Sequence, residues 1–377
     1  MSEWKIITAE EFCDSVRDGT HDTPKPTESG YKLVTGKHLK KGVIDDTDAY
    51  YISESDYNKI NERSKVDQWD VLMSMIGTVG EVAVVKNKPC YAIKNVALFK
   101  CAGSELKGRW LAYYLNSPKA KGFFTGNQKG SSQQFLSLKQ LRNLPILVTE
   151  EPYMKYVVDI LSRYDSLIDN YQKQIKLLEE AAQRLYKEWF VDLHFPGHEN
   201  TNIIDGVPEG WEKKSITDVL EIKYGKDHKL LKEGTIPVYG TGGIMRYVEK
   251  SLFTGESVLI PRKGSLNNIM LVGGTFWTID TMFYSIPKEN NVAKIVYFYL
   301  KGVDMYSFNI GAAVPSMTVN ILSGMKLLVP NEDVKNKFET IASKYFIRMH
   351  SLQSQLRLLT EARDRLLPKL MSGEIEI

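Results

Sequence analysis

Long apolar runs are missing from this chain of 377 residues: no stretch approaches the roughly 20 residues that a membrane-spanning helix needs. Residues 1–11 have neither a basic start nor an apolar centre, so no secretory signal is read there. Cysteine is scarce too. Cys13, Cys90 and Cys101 are odd in number and form no C-x-x-C pair, which argues against a disulfide framework and against a thiolate metal site. The six histidines show no metal-ligand spacing. Together these absences predict a cytoplasmic protein without a metal. The net charge of +3 neither demands nor excludes a polyanionic partner.

Catalytic signatures are absent as well. A phosphate-binding loop needs Ser or Thr after Gly-Lys, but Gly36-Lys37 and Gly225-Lys226 are followed by His38 and Asp227. Gly240-Thr241-Gly242-Gly243-Ile244-Met245 begins like a dinucleotide fingerprint, yet it ends in Met245 and precedes a strand-like stretch, so it reads as a tight turn. No Pro-Pro pair occurs, which removes the Asn/Asp-Pro-Pro-aromatic loop by which an amino-methyltransferase grips its base. No nuclease carboxylate cluster stands out. The chain is expected to catalyse nothing by itself.

What the chain does contain is a repeat. At an offset of 181, Gln174 to Ala181 lies over Gln355 to Ala362 without a gap, Arg184-Leu185 falls on Arg365-Leu366, and Ile146-Leu147-Val148 covers Leu327-Leu328-Val329. Gly130 and Gly311 keep the register. A weaker echo pairs Trp4 with Trp211, Val71-Leu72 with Val258-Leu259, and Gly77 with Gly264. The length therefore divides into two copies of one unit, each a mixed α/β globular part followed by a long helix.

The first helix, over 149–192, carries apolar residues at Val157, Leu161, Tyr164, Ile168, Tyr171, Ile175, Leu178, Ala182, Leu185 and Trp189. Steps alternating between four and three make a heptad seam, which argues for a coiled coil. Thr149 is the expected N-cap. The second helix, over 330–377, repeats the seam at Phe338, Ala342, Tyr345, Met349, Leu352, Leu356, Leu359, Leu366 and Leu370, with Arg363 interrupting it; Pro368 should kink or fray its last turn. At 1.5 Å per residue such helices are roughly 60 Å long. The simplest arrangement pairs them antiparallel as a ruler between the globular parts; core helices of a bundle, or an intermolecular coiled coil, are the alternatives.

The globular parts span 1–148 and 211–329, with a Pro/Gly/Asn-rich linker over 193–210. Strands are expected at Tyr31 to Leu33, Val71 to Ile76, Glu81 to Val85 and Asn95 to Phe99, then at Ile236 to Tyr239, Ser257 to Ile260, Ile269 to Val272 and Met282 to Ile286; helices are expected at Ala9 to Val16, Arg109 to Leu115 and Val292 to Leu300. Polar loops cluster in both copies. The first offers Lys37, His38, Lys40, Lys41, Ser74, Thr78, Lys129, Ser132 and Gln133. The second offers Lys226, His228, Lys229, Tyr239, Thr241, Arg246, Arg262, Lys263, Ser265 and Asn267. Lys and Arg neutralise phosphate, while Arg, Asn and Gln can make paired hydrogen bonds to base edges, so these residues are candidate DNA contacts. Because the first helix is acidic in balance, the positive excess falls on the globular parts.

The layout of globular part, helix, diverged globular part and helix resembles the specificity (S) subunit of bacterial type I restriction-modification systems over the whole chain. Ile175 to Lys187 with Leu356 to Lys369, the closing Leu366 to Ile375, and the turns Pro237-Val238-Tyr239-Gly240 and Gly130-Ser131-Ser132-Gln133-Gln134 carry the resemblance. The first half offers Val34-Thr35-Gly36-Lys37 where the second has its Tyr-Gly-x-Gly-Gly turn. The resemblance implies a non-catalytic subunit with two target recognition domains, each reading a few base pairs of double-stranded DNA, and helices that fix the gap. It also implies two modification (methyltransferase) subunits, which bind S-adenosylmethionine, and restriction (translocase-nuclease) subunits; this chain itself is expected to bind no cofactor. A tandem repeat of this kind mimics a twofold dimer, and divergence of its halves yields an asymmetric target. The competing reading is a coiled-coil scaffold that presents two protein-binding heads.

Overall fold

Two sheets with one strand order embody the repeat. The computed structural model describes residues 3–40, 42–127, 134–309, 311 and 314–375. In the first head the strands Ser15–Asp18, Val96–Lys100, Val71–Ser74 and Val82–Val84 lie in that order, all antiparallel. The second head repeats the order with Leu220–Tyr224, Met282–Pro287, Ser257–Pro261 and Met270–Val272. Because side chains alternate across a strand, Val71 and Met73 enter one core with Trp110 of the helix Glu105–Asn116, and Leu72 enters another with Val34 and Ile93. In the second head Val258 and Ile260 join Ile295 and Phe298 of the helix Ala293–Lys301, while Leu259 packs with Phe276 and Met282.

A two-stranded ribbon closes each head: Lys5–Thr8 pairs with Pro145–Val148, and Glu212–Ser215 with Lys326–Val329. The heads differ in what flanks a parallel strand pair. Tyr31–Val34, parallel to Tyr91–Ile93, is followed through Tyr51–Ile52 by the helix Glu54–Ser64, whereas Glu233–Gly240, parallel to Thr275–Thr278, turns back as a hairpin with Gly243–Val248. The helix expected over Ala9 to Val16 is only Ala9–Phe12. A capping box between Thr8 and Glu11 starts it, and the pairing of Val16 with Phe99 draws the following residues into the sheet.

The long helices are Glu151–Tyr186, 36 residues that run into a π-turn at Lys187–Val191, and Glu332–Ser372, 41 residues. Thr149 does not cap the first: among the described residues its buried hydroxyl has no partner. Asn331 caps the second, its Oδ1 accepting from the Val334 amide at 3.1 Å. The helix continues through Pro368 rather than fraying, because Leu367, Leu370 and Met371 around the proline are buried, and Gly373 at φ 74° ends it.

Two compact units result, 1–171 with 355–377 and 172–354. Within the first, the Tyr153 hydroxyl donates to the Leu370 and Ile375 carbonyls and Asp165 meets Arg363 at 2.9 Å. Partner order is reversed along the two helix segments, so they run antiparallel. Within the second, Tyr186, Trp189 and Phe190 surround Phe338, and Arg348 donates to Gln174. The seam follows the heptads: Val157, Leu161, Ile168, Phe338 and Leu352 are buried, and Ile175, Leu178, Leu185, Tyr345, Leu356, Leu359 and Leu366 half-buried. Towards the heads the stripe widens to include Met154, Val158, Tyr186 and Phe190.

The second head is riveted to its helix by charge. Glu289 accepts from Lys214 at 2.6 Å and Lys335 at 2.9 Å; these hydrogen bonds, Lys214 first, hold its carboxyl below the usual range. A carboxyl with a depressed folded value contributes stability above its unfolded value, near 4.3, and that stability is lost as pH falls through the folded value. Glu289→Gln should therefore flatten the loss of stability in acid-unfolding curves between about pH 5 and pH 3. An unchanged slope would contradict the pairing.

Candidate nucleic-acid interface

In the second head a glycine in the left-handed region organises the loops. Gly264, at φ 85°, donates to the Pro315 carbonyl at 2.9 Å, and the Met317 amide returns a bond to Arg262. Gly240 pairs with Gly243 across the hairpin, leaving Thr241-Gly242 as its tip. Asn268 donates to the Thr241 carbonyl at 2.6 Å, and the Tyr306 hydroxyl donates to the Gly264 carbonyl. The Asn267 side chain is spent in bonds to Asp304 and the Met305 amide. The structure thus brings together Thr241, Arg262, Lys263, Ser265 and Asn267. Beside them, the Arg262 guanidinium lies 5.3 Å from the Tyr224 ring centre and donates to Asp280 O. One planar edge of the guanidinium is thereby oriented, and among the described residues its other N–H groups have no hydrogen-bond partner. Lys226 is exposed, with its backbone fixed through Thr278 and Trp277.

The remaining candidates of this head lie elsewhere on it. Lys229 is exposed, its amide on Asp227, whose carboxyl that bond holds low. His228 is half-buried, and Arg246 donates to the Leu231 carbonyl. Tyr239 packs edge-on against Phe276, and burial raises its hydroxyl pKa, so its ring belongs to the inner sheet rather than to the loop cluster.

The first head repeats the frame with different side chains. Gly77, at φ 76°, donates to Gln134 O, and Leu136 donates to Met75 O. The turn at Gly36 sits directly on Ser74, where an added Cβ would come within 3.3 Å of the Ser74 Cβ. Lys37, Lys40 and Thr78 are exposed here. Two expected contacts prove to be internal braces. Ser74 is buried on a central strand and ties its own loop through Thr78 O and the Glu81 amide. His38 is buried; its Nδ1 accepts from the Thr35 amide at 2.8 Å, and burial lowers its pKa. Lys37 is paired with Asp48 at 3.2 Å, which weakens it as a phosphate ligand. Lys41, Lys129, Ser132 and Gln133 lie outside the described residues.

At the positions matched by the two glycine turns, the second head carries Arg262-Lys263 and the first Met75-Ile76. Tyr224, Asn268 and Tyr306 were not among the sequence candidates. A tyrosine two residues before Lys226 was the available signal for the first; the others show their role only through folded contacts. Among the described residues no group of three or more His, Cys, Asp or Glu could hold a metal, and no helix is long and apolar enough to cross a membrane.

A family model described as type I restriction modification DNA specificity domain matches residues 1–180 and 208–352. The chain is 24% identical over 353 residues to the type I restriction enzyme MjaIX specificity subunit of Methanocaldococcus jannaschii, covering 81% of this chain and 78% of that relative. It is 18% identical over 329 residues to the HindI specificity subunit of Haemophilus influenzae, covering 64% and 71%. In fold it is similar to the crystal structure of a type I restriction-modification system S subunit from M. genitalium, with a TM-score of 0.63, 17% identity, and 98% and 96% of the two chains covered.

Proposed function

The chain belongs to the type I restriction-modification DNA specificity family, and from that premise we propose that its two heads read the two dissimilar halves of one asymmetric target in double-stranded DNA. It is a specificity subunit: it recognises DNA sequence and leaves the chemistry to others. The observation that carries the proposal is the loop-on-loop frame repeated at Gly77 with Gln134 and at Gly264 with Pro315, which presents different side chains in each head. One frame with two sets of readers is what a bipartite, non-palindromic site requires.

Two modification subunits, holding S-adenosylmethionine, are the proposed partners, joined by restriction subunits for cleavage. Leu177 and Leu358, 181 residues apart, are 63% and 56% exposed on the two long helices and offer each modification subunit an equivalent apolar handle. Base flipping then falls to the partner, consistent with a chain that lacks the methyltransferase loop.

Competition binding of the chain with its modification subunit, at fixed salt, tests the reading. Arg262→Ala should cost about 1–3 kcal/mol and relax one position of one half-site. Lys226→Ala should weaken all sequences alike and reduce the salt slope by about one. Equal losses on every DNA for both variants would remove Arg262 as a base reader. Inserting one helical turn after both Asn170 and Ser351 should lengthen the unread gap and leave both half-sites as they were; altered half-sites would show that the helices do more than space them.

A further inference from the structure

We infer that the second unit carries a docking groove for a basic, amphipathic helical segment of a protein partner, and that this segment binds once per chain. The groove encloses about 900 Å³ between the segment Met270–Gly273, the helix Ala293–Lys301 and the faces of both long helices that belong to this unit. Its lining is apolar at Leu271, Tyr297, Phe346 and Ile347, and Ile347 is 69% exposed, a large cost for an aliphatic side chain that nothing covers.

Charge selects the occupant. The lining holds four carboxylates, Glu179, Glu180, Glu256 and Glu339, against the ammonium groups of Lys294 and Lys301. Lys294 is already committed to Glu256 and Glu339, at 2.6 and 2.7 Å. Among the described residues Glu180 is paired only with Lys176, at 3.9 Å, a weak exposed pair. The buried Oε2 of Glu339 has no partner among the described residues. An apolar floor beneath an acidic rim, lying along helices, suits a helix with apolar anchors on one side and Lys or Arg on the other. The same carboxylates repel DNA.

The first unit bridges the equivalent place. Lys86, two residues beyond the strand Val82–Val84, reaches Asp169 at 2.7 Å; Asp165 accepts from Tyr113 at 2.7 Å and Arg363 at 2.9 Å. In the second unit Gly273-Gly274 follow the matching strand, and the positions 181 residues after Asp165 and Asp169 are Phe346 and His350. In place of the lysine and the two carboxylates, head and helix meet here through Lys294 with Glu339 and through Phe346 against Tyr297 and Phe298, and the groove opens beside those contacts, along Met270–Gly273 and Ile347. A partner seated in it would distinguish the second copy of the repeat from the first.

Fluorescence polarisation on the full chain tests this, using a labelled peptide of about 18 residues, long enough to form a helix, with Leu on one face and Lys or Arg on the other. Its scrambled isomer has the same composition and no apolar face. The expected result is one peptide bound per chain, with affinity about tenfold lower for the scramble, for Glu179→Lys with Glu180→Lys, and for Ile347→Arg, and DNA binding unchanged. All three positions are exposed, so the fold should survive, and thermal melting confirms it. Equal binding of the scramble, two peptides per chain, or undiminished binding by the folded variants would overturn the inference.

Discussion

Phe338→Ala should destabilise the second unit by about 3–5 kcal/mol, the range for removing a fully buried aromatic ring. The ring has no exposure and is met by Phe190 at 4.8 Å, Trp189 at 5.8 Å, Phe298 at 6.3 Å and Tyr186 at 6.5 Å between centroids. It joins the start of the second long helix, the end of the first, and the helix of the head. A methyl group leaves a cavity that three different elements would have to close together, and close-packed elements collapse only partly. The matching position 181 residues earlier is Val157, also fully buried, where Val157→Ala should cost only about 1–3 kcal/mol because fewer atoms are lost. Urea unfolding followed by tryptophan fluorescence checks both, since Trp189 and Trp211 lie in the core around Phe338 and Trp110 in the core around Val157. A loss below about 1 kcal/mol for Phe338→Ala would mean that this junction does not hold the unit together.

Lys294→Ala should be comparably severe, about 3–5 kcal/mol, for an electrostatic reason. The side chain is 5% exposed, and its ammonium bridges Glu256 and Glu339 while lying 5.8 Å from the Phe346 ring centre. Burial pulls its pKa down, but the two carboxylates outweigh that and keep it raised and charged. Removing the cation leaves Glu339, a mostly buried carboxylate, with the neutral Ser343 hydroxyl as its hydrogen-bond donor among the described residues and no countercharge. Replacing Lys294 by Met and Glu339 by Leu together should recover most of the loss, because an apolar pair of similar volume avoids both desolvation costs. The first repeat already uses that solution in part: Val158 stands where Glu339 stands in the second. If the double replacement were no better than Lys294→Ala, the damage would come from lost volume rather than from stranded charge.

The repeat and the helix pair were legible because their signals extend over many residues. A 181-residue offset and a heptad seam survive errors at single positions, and Arg363, which interrupts the seam, proves to be half of an ion pair with Asp165. The sheets were legible where apolar alternation coincided with pairing, as at Val71–Ser74. Ala9 to Val16 misled because Ala-Glu-Glu-Phe reads as helix, while the pairing of Val16 with Phe99, some eighty residues away, decides the outcome. The same limit governs the loops. Ser74 and His38 are polar residues near glycines, which in sequence look like solvated loop tips; only the tertiary packing that buries them shows that they brace the loops from inside. The stacking of Arg262 on Tyr224 joins residues with no local pattern between them, so Arg262 was nameable as a cation and not as an oriented one.

Under the proposed function, two heads with one frame and different loop side chains read one target with two unlike halves. Reconstituting the chain with its modification subunit, methylating a random-sequence DNA library and sequencing the modified molecules tests that most directly. The expected result is two dissimilar short sequences separated by a constant unread gap. A palindromic motif, a single uninterrupted motif, or methylation without sequence preference would contradict it.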